Sequence, residues 1–373
     1  MKYLSLLIFL VLNLKTLSAA RLEIISEHNL EFINMALVNQ TIALNDGRYI
    51  VQKYGKTLSL FNEHGKIIRE IEFPRKQKIY HKGLQLNDGS LLFITDKSEI
   101  FIFSQDLEIT ANYYLPLRHP YSPCQLDNGL LAYRAWGDKN IFVYNGNELA
   151  YTIKTAAFAE DKAYCFQNKF VNFAKSDILE VFELTHQGSH KVASMELKGV
   201  LTNSIVFNDK YLRFLRANTK YELNIEAIQL KKDMGTYNQN EANATQYFKD
   251  GSYITSRYIK YEDKYISILE LHDKTGKLIR EIEYKNSGAQ AKMPFTILKD
   301  KYVLSPHCYG RVSLYDRNLN LLDELPSAYM SCTAFIELDN GRVILSGIQQ
   351  EEEDSASHLQ GLKHQSVLLQ ILE

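Results

Sequence analysis

Eight residues stand at one equivalent place along this chain: Lys53, Thr95, Ala135, Lys175, Arg216, Arg257, His307 and Gly347. Five of them can carry positive charge. Each closes a short run whose second and fourth residues are mostly apolar, as in Tyr49 and Val51, Leu91 and Phe93, Leu131 and Tyr133, Leu212 and Phe214. If the runs are strands repeated around an axis, their sixth positions form a broken ring of cations, which raises the local concentration of an anionic ligand. His119, Tyr121, Arg134, Trp136 and Tyr309 belong to the same end of the runs. Basic and aromatic groups together suit a sugar, a carboxylate or a peptide chain.

Covalent chemistry is thinly represented. The chain has no Gly-x-Ser-x-Gly elbow, no His-Glu-x-x-His pair, no glycine-rich phosphate loop and no calcium-loop spacing. His186 and His190 have the spacing of helical metal ligands, but they flank Gly188 in an expected turn, where that spacing loses its meaning. His307 beside Cys308 has the form of a base next to a thiol. In an oxidising compartment Cys308 instead finds a disulfide partner in Cys332, and Cys124 pairs in the same way with Cys165. Against the second pair, Cys124 lies two residues before Leu126 and Cys165 one before Phe166, so they point to opposite faces of their strands. No catalytic residue, metal or cofactor is assigned.

The elements that must position these side chains are announced by turns. An apolar residue runs into a short Asp/Asn turn at Leu44, Leu86, Leu126, Phe166, Phe207, Phe248, Leu298 and Leu338, in steps of 42, 40, 40, 41, 41, 50 and 40 residues. That period fits four-stranded units. In the second unit the apolar-rich runs are His81 to Leu86, Ser90 to Thr95, Glu99 to Phe103 and Glu108 to Leu115, an antiparallel meander of strands A, B, C and D. Gly65-Lys66-Ile67-Ile68-Arg69-Glu70-Ile71-Glu72-Phe73 returns almost unchanged as Gly276-Lys277-Leu278-Ile279-Arg280-Glu281-Ile282-Glu283-Tyr284, five units on.

The last unit stops at its C strand, Ser366 to Leu372, while Arg21 to Glu27 is a spare alternating strand ahead of the first unit. Joined, they close a ring and leave only short, protected edges. The expected fold is all-β, an eight-bladed β-propeller closed by the N-terminal strand, with a seven-bladed ring as the alternative. In repeat and closure, residues 21 to 373 resemble secreted and periplasmic eight-bladed propellers of quinoprotein-like architecture. They are also similar in plan to the outer-membrane assembly propeller. The resemblance implies the architecture alone: Trp136 is the sole Trp, so the blade-by-blade Trp docking motif is absent and pyrroloquinoline quinone is not carried over.

Residues 1 to 20 read as a cleaved secretory signal: Lys2, an apolar core from Tyr3 to Leu14, and small residues at Ser18-Ala19-Ala20. About a dozen apolar residues fall short of the roughly 20 that span a bilayer, so the mature chain, 21 to 373, is expected as a single secreted or periplasmic domain without a transmembrane helix. Cleavage leaves 41 basic against 44 acidic residues, which excludes a globally basic nucleic-acid binder. In a propeller the A-B and C-D turns share one face, and the B-C and D-A connections share the other. The clear insertions, Arg257 to Lys264 and the acidic Gln349 to Lys363 with its Glu351-Glu352-Glu353-Asp354 run, both fall in B-C connections. The expected function is a monomeric, non-enzymatic binding or scaffold protein that recognises a protein, peptide or glycan partner through that face. The alternative is a propeller hydrolase or lyase acting on a carbohydrate or peptide.

Overall fold

Five of the turn landmarks share one construction. The leading N–H donates to the carbonyl four residues on, from Leu44 to Arg48 at 2.9 Å and from Leu338 to Arg342 at 2.8 Å. The Asp or Asn at the third position accepts from the amide two residues further, Asp46 Oδ1 from Arg48 and Asp250 Oδ1 from Ser252, both at 3.0 Å. The fourth residue, Gly47, Gly89, Gly129, Gly251 or Gly341, has φ between +76° and +91°. A side chain there costs about 1–2 kcal/mol, which explains the recurrent glycine.

The structure, a computed structural model, describes residues 20–30, 40–53, 57–74, 77, 79, 83–135, 137–155, 159–174, 178–197, 201–207, 211–216, 219–233, 242–261, 264–286, 295–307, 311–326, 329–338, 340–350 and 362–372. The signal-like residues 1–19 and the acidic run Glu351 to Asp354 lie outside them. The described strands form eight four-stranded antiparallel sheets. Blade 1 is Gln40–Ala43, Tyr49–Lys53, Thr57–Phe61 and Ile67–Glu72, in the order A, B, C, D. Blade 8 takes A, B and C from Tyr329–Glu337, Val343–Gln350 and Leu362–Leu372, and its D strand is Arg21–Leu30. The register runs from Arg21↔Leu372 through Leu22↔Ile371 to Leu30↔His364, with one bulge between Ile24 and Ser26.

The hydrophobic core is divided among the seams between blades. Ile42, Ile50, Leu58 and Leu60 of blade 1 meet Leu91, Phe93, Phe101 and Phe103 of blade 2. Phe73 enters this seam edge-on to Phe93, Phe101 and Phe103, with centroids 5.4–5.8 Å away. Comparable buried clusters join blades 2 and 3, 3 and 4, 4 and 5, 6 and 7, and 7 and 8. Between blades 5 and 6 the A strands, Leu201–Phe207 and Ala242–Tyr247, run side by side. Tyr49, Val51 and Phe61 of blade 1 pack on Leu338, Ile344 and Leu368 of blade 8, where Arg342 also donates to the Glu63 carbonyl. Eight blades therefore make the ring, not seven.

Candidate functional site on the B-C and D-A face

The B-C ends of the blades differ in how far their strands run from the A-B turns. The innermost pairs beside those turns are Tyr247↔Tyr253 in blade 6, Leu298↔Tyr302 in blade 7 and Glu337↔Val343 in blade 8. From there strand B runs nine residues in blade 6, Tyr253–Tyr261, six in blade 7, Tyr302–His307, and eight in blade 8, Val343–Gln350. At about 3.3 Å per residue, strand B of blade 6 is about 10 Å longer, and that of blade 8 about 7 Å longer, than that of blade 7. At the B-C end of blade 7, His307 pairs with Arg311.

The blade 6 hairpin corrects a reading of the sequence. Arg257 to Lys264 was expected as loop, yet strand B pairs with Lys264–His272 without interruption from Tyr253↔His272 to Tyr261↔Lys264. The alternation in Arg257-Tyr258-Ile259-Lys260-Tyr261, rich in β-formers, extends the hairpin instead of interrupting it. In blade 8, likewise, the pairs Gln349↔Lys363 and Gln350↔Leu362 carry the strands into a segment expected to be irregular.

The sixth-position residues are distributed unevenly. The backbones of Lys53, Arg216 and His307 form the last pairs before their B-C turns, opposite Thr57, Thr219 and Arg311. Arg257 lies lower in its hairpin, opposite Ile268, and Gly347 lies opposite Gln365. The side chains of Lys53, Arg216, Arg257, His307, Tyr121 and Cys332 are outside the description, as are Lys175, Trp136, Cys308 and Tyr309 altogether. Thr95 and Ala135 are buried between blades. His119 is exposed in the D-A connection before blade 3, with φ of +46°.

Arg134 does not reach the mouth. It is 0% exposed in the seam between blades 3 and 4, where it donates to Asn172 Oδ1. The reason is geometric: alternate residues of strand B face the two neighbouring blades, not the central axis. Leu131 and Tyr133 join the seam with blade 2, while Ala132 joins the seam with blade 4, the side that Arg134 shares. Asn172 Nδ2 then donates to Glu180 Oε2 at 3.1 Å, and Lys191 Nζ to Glu180 Oε1 at 2.5 Å. The buried Glu180 carboxylate is thus compensated by an amide and an ammonium, as a buried charge requires. Asn172 was legible as an amide at an otherwise apolar strand position; Glu180 and Lys191 had no such signal.

The same seam carries a disulfide between Cys124 and Cys165, with Cα atoms 5.6 Å apart. This overturns the argument from opposite faces. Cys124 sits opposite Ala132, which faces blade 4, and Cys165 opposite Phe170, which faces blade 3. Adjacent blades pack front to back, so opposite faces are the ones that meet.

Among the described residues no group of three His, Cys, Asp or Glu side chains could hold a metal ion. His186 Nε2 lies 3.2 Å from the Asn128 carbonyl, and His190 pairs with Glu183 in strand D. Burial pushes the Tyr133 phenol well up, with Tyr113 beside it, and pushes Tyr164 up to about 12, so both stay protonated at neutral pH. A cleft of about 320 Å³ opens on the other face between blades 6 and 7, lined by Asp250, Ser252, Asp273, Lys274, Ile279 and Arg317. Its Arg317 is held by Asp250, by Ser252 Oγ at 3.0 Å and by the Phe248 ring at 4.5 Å. No described helix is long and apolar enough to cross a membrane.

No family matches the sequence, and no curated protein does. Solved structures do match. BamB from Moraxella catarrhalis is 10% identical with a TM-score of 0.59, over 93% of this chain and 99% of that one. The C-terminal WD40 domain of Sif2 is 11% identical with a TM-score of 0.62, over 94% and 99%. The dihydro-heme d1 dehydrogenase NirN, in complex with DHE, is 13% identical with a TM-score of 0.61, over 86% and 73%. At such identities the likeness is one of fold, and with its eight sheets and shared seams the chain is an eight-bladed β-propeller.

Proposed function

We propose that the protein is an extracytoplasmic binding or scaffold propeller that seats a protein, peptide or glycan partner on its B-C and D-A face. The observation that carries this reading is the uneven length of the hairpins on that face: strand B of blades 6 and 8 is two to three residues longer than that of blade 7. A recognition surface elaborated on a rigid frame is how such scaffolds acquire partners. In this reading Lys53, Lys175, Arg216, Arg257 and His307 are the cationic side chains that attract the partner, and His119, Tyr121, Trp136 and Tyr309 the ring groups that an extended ligand would stack on. The signal-like N-terminus and the Cys124–Cys165 bond both favour an oxidising, extracytoplasmic compartment.

The reading is tested with a polyglutamate peptide and a sulfated glycan as probes, titrated calorimetrically. Arg216→Ala combined with Arg257→Ala should weaken binding of at least one probe about tenfold, the scale of a lost charge-assisted hydrogen bond. The effect should shrink as salt screens it. Unchanged affinity in the double variant, or no binding of either probe at low salt, removes the cationic ring as a ligand site.

A further inference from the structure

Blades 1 and 6 share the repeat Gly65 to Phe73 and Gly276 to Tyr284, so the seams that they make with the next blade can be compared position by position. Between blades 1 and 2 the charges on the A-B and C-D face are answered within the ring. Arg48 donates to Asp46 Oδ2 at 2.5 Å and to Asp106 Oδ1 of blade 2 at 2.6 Å. Arg69 donates to the Asp106 carbonyl at 2.9 Å and to Glu108 Oε1 at 3.2 Å. Blade 2 presents both acids in the turn Gln105-Asp106-Leu107-Glu108.

Between blades 6 and 7 the frame is the same, but those two acids are amides. The turn of blade 7 reads Arg317-Asn318-Leu319-Asn320, and its Leu319, buried with φ of +59°, repeats Leu107, buried with φ of +60°. Asn318 thus stands for Asp106 and Asn320 for Glu108, while Ser252 stands for Arg48 and Lys274 for Glu63. Arg280 stands for Arg69, yet it donates to Asn320 Oδ1, at 2.5 Å, instead of to a carboxylate. Ser252 has no arm to cross the seam, and it lines the cleft of about 320 Å³ together with the buried Leu271 and with Ile279, which is 59% exposed. The acids at this cleft are engaged: Asp250 by Arg317 and by the Ser252 amide and hydroxyl, and Asp273 by three hydrogen bonds from Thr275 and Lys277 at 2.6–3.0 Å. Among the described residues no carboxylate bridges to Lys274 or Arg280.

We propose that this cleft, on the face opposite the B-C and D-A connections, binds an acidic peptide segment of a partner protein in which an aliphatic residue lies next to Asp or Glu. The aliphatic side chain packs against Leu271 and Ile279, where it is taken out of water. The carboxylates accept from Lys274 and Arg280, as Glu108 accepts from Arg69 inside the ring. The partner therefore supplies at this seam the acids that blade 2 supplies at the other, and charge complementarity selects it over a basic or neutral segment. A single short segment covers far less than the roughly 800 Å² per partner of a standard stable interface, and its binding is accordingly weak and readily reversed.

The probe is a fluorescein-labelled peptide, Gly-Ser-Asp-Leu-Glu-Ser-Gly, titrated with the protein at low salt and read by anisotropy. Binding should be saturable and should weaken as salt rises. Serine in place of the peptide's leucine should weaken it about tenfold, the scale of one buried aliphatic side chain. Lys274→Glu, a change at an exposed position that copies Glu63, should also cost about tenfold, the scale of a lost hydrogen bond to a charged group. S252R, R317Q, N318D and N320E together rebuild the arginine and the turn with which blades 1 and 2 already meet; this variant should keep the thermal midpoint of the wild type and lose the peptide. Arg216→Ala with Arg257→Ala, on the opposite face, should leave this binding unchanged, which separates the cleft from the cationic ring. A wild type that leaves the peptide unbound overturns the proposal, and capture by phosphatidylglycerol vesicles in that case would make the surface a lipid-docking one. Binding that is unchanged in Lys274→Glu, or lost only in the Arg216 and Arg257 variant, overturns it as well.

Discussion

At the residue scale, the seam between blades 3 and 4 is where single side chains carry the most structure. The Cys124–Cys165 bond closes a loop of 41 residues, for which the chain-entropy relation gives about 4 kcal/mol of stabilisation. C124A, C165A and the double variant should therefore each lose a similar amount, because either change opens the same loop. Urea unfolding read by fluorescence should place all three midpoints together and below the oxidised wild type, with reductant bringing the wild type down to join them. Midpoints that do not move would mean that the seam is held by its non-covalent contacts alone. Both cysteines were visible in the sequence, and the parity of their strand positions was read correctly. What the residues could not supply was the front-to-back packing of neighbouring sheets, which turns opposite faces into touching ones. Arg134 was misplaced for a related reason: a strand end suggests solvent until the adjacent blade is known to lie across it.

At the scale of the element, the turns are the most local and the most legible features. Asp88 is held below its ordinary value of 3.8 by hydrogen bonds from the Ser90 hydroxyl and amide. Asp273 is held down by Thr275 and by the Lys277 amide. For Asp250 burial acts upward, but Ser252 and Arg317 outweigh it and the net direction is again down. A carboxyl group whose folded value is depressed contributes stability above its unfolded value, and that contribution is lost as pH falls through the folded one. Thermal midpoints should accordingly drop as pH falls below about 4. The repeat itself offers the control, since Asn128 stands where Asp88 does and Asn62 where Asp273 does. Asp88→Asn with Asp273→Asn should leave the midpoint at pH 7 nearly unchanged and flatten the acid limb; an acid limb as steep as in the wild type would place the pH response elsewhere. These turns, the eight units and the strand order could be read from Asp, Asn and Gly alone, because each turn is satisfied within about five residues. The length of the blade 6 hairpin could not. Arg257 to Lys264 differs from a loop only in its alternation, and whether such a run pairs depends on a partner strand that the run itself does not name.

For the whole molecule, stability rests on a seam without a covalent link. Arg21–Leu30 zips onto Leu362–Leu372, Ala20 and Leu22 enter the cluster between blades 7 and 8, and the Leu22 amide donates to Asp323 Oδ2 at 2.7 Å. Every other blade is completed by consecutive strands, so this strand is where the ring can open without unfolding a blade. Leu22→Asp puts a carboxylate at a site only 6% exposed and next to Asp323, where burial and like charge both act against it. Set against the roughly 2 kcal/mol that a buried leucine contributes, the substitution should cost more than that. Its effect should be uneven: hydrogen exchange ought to quicken first at 364–372 and along blade 7 strand D, Leu321–Pro326, while blade 3 strand B, Leu131–Ala135, keeps its protection. If protection at Leu131–Ala135 falls together with that at 364–372, the ring behaves as one cooperative unit and its closure is no weaker than any other seam. If it falls only at the seam, the N-terminal strand is the point from which this ring opens.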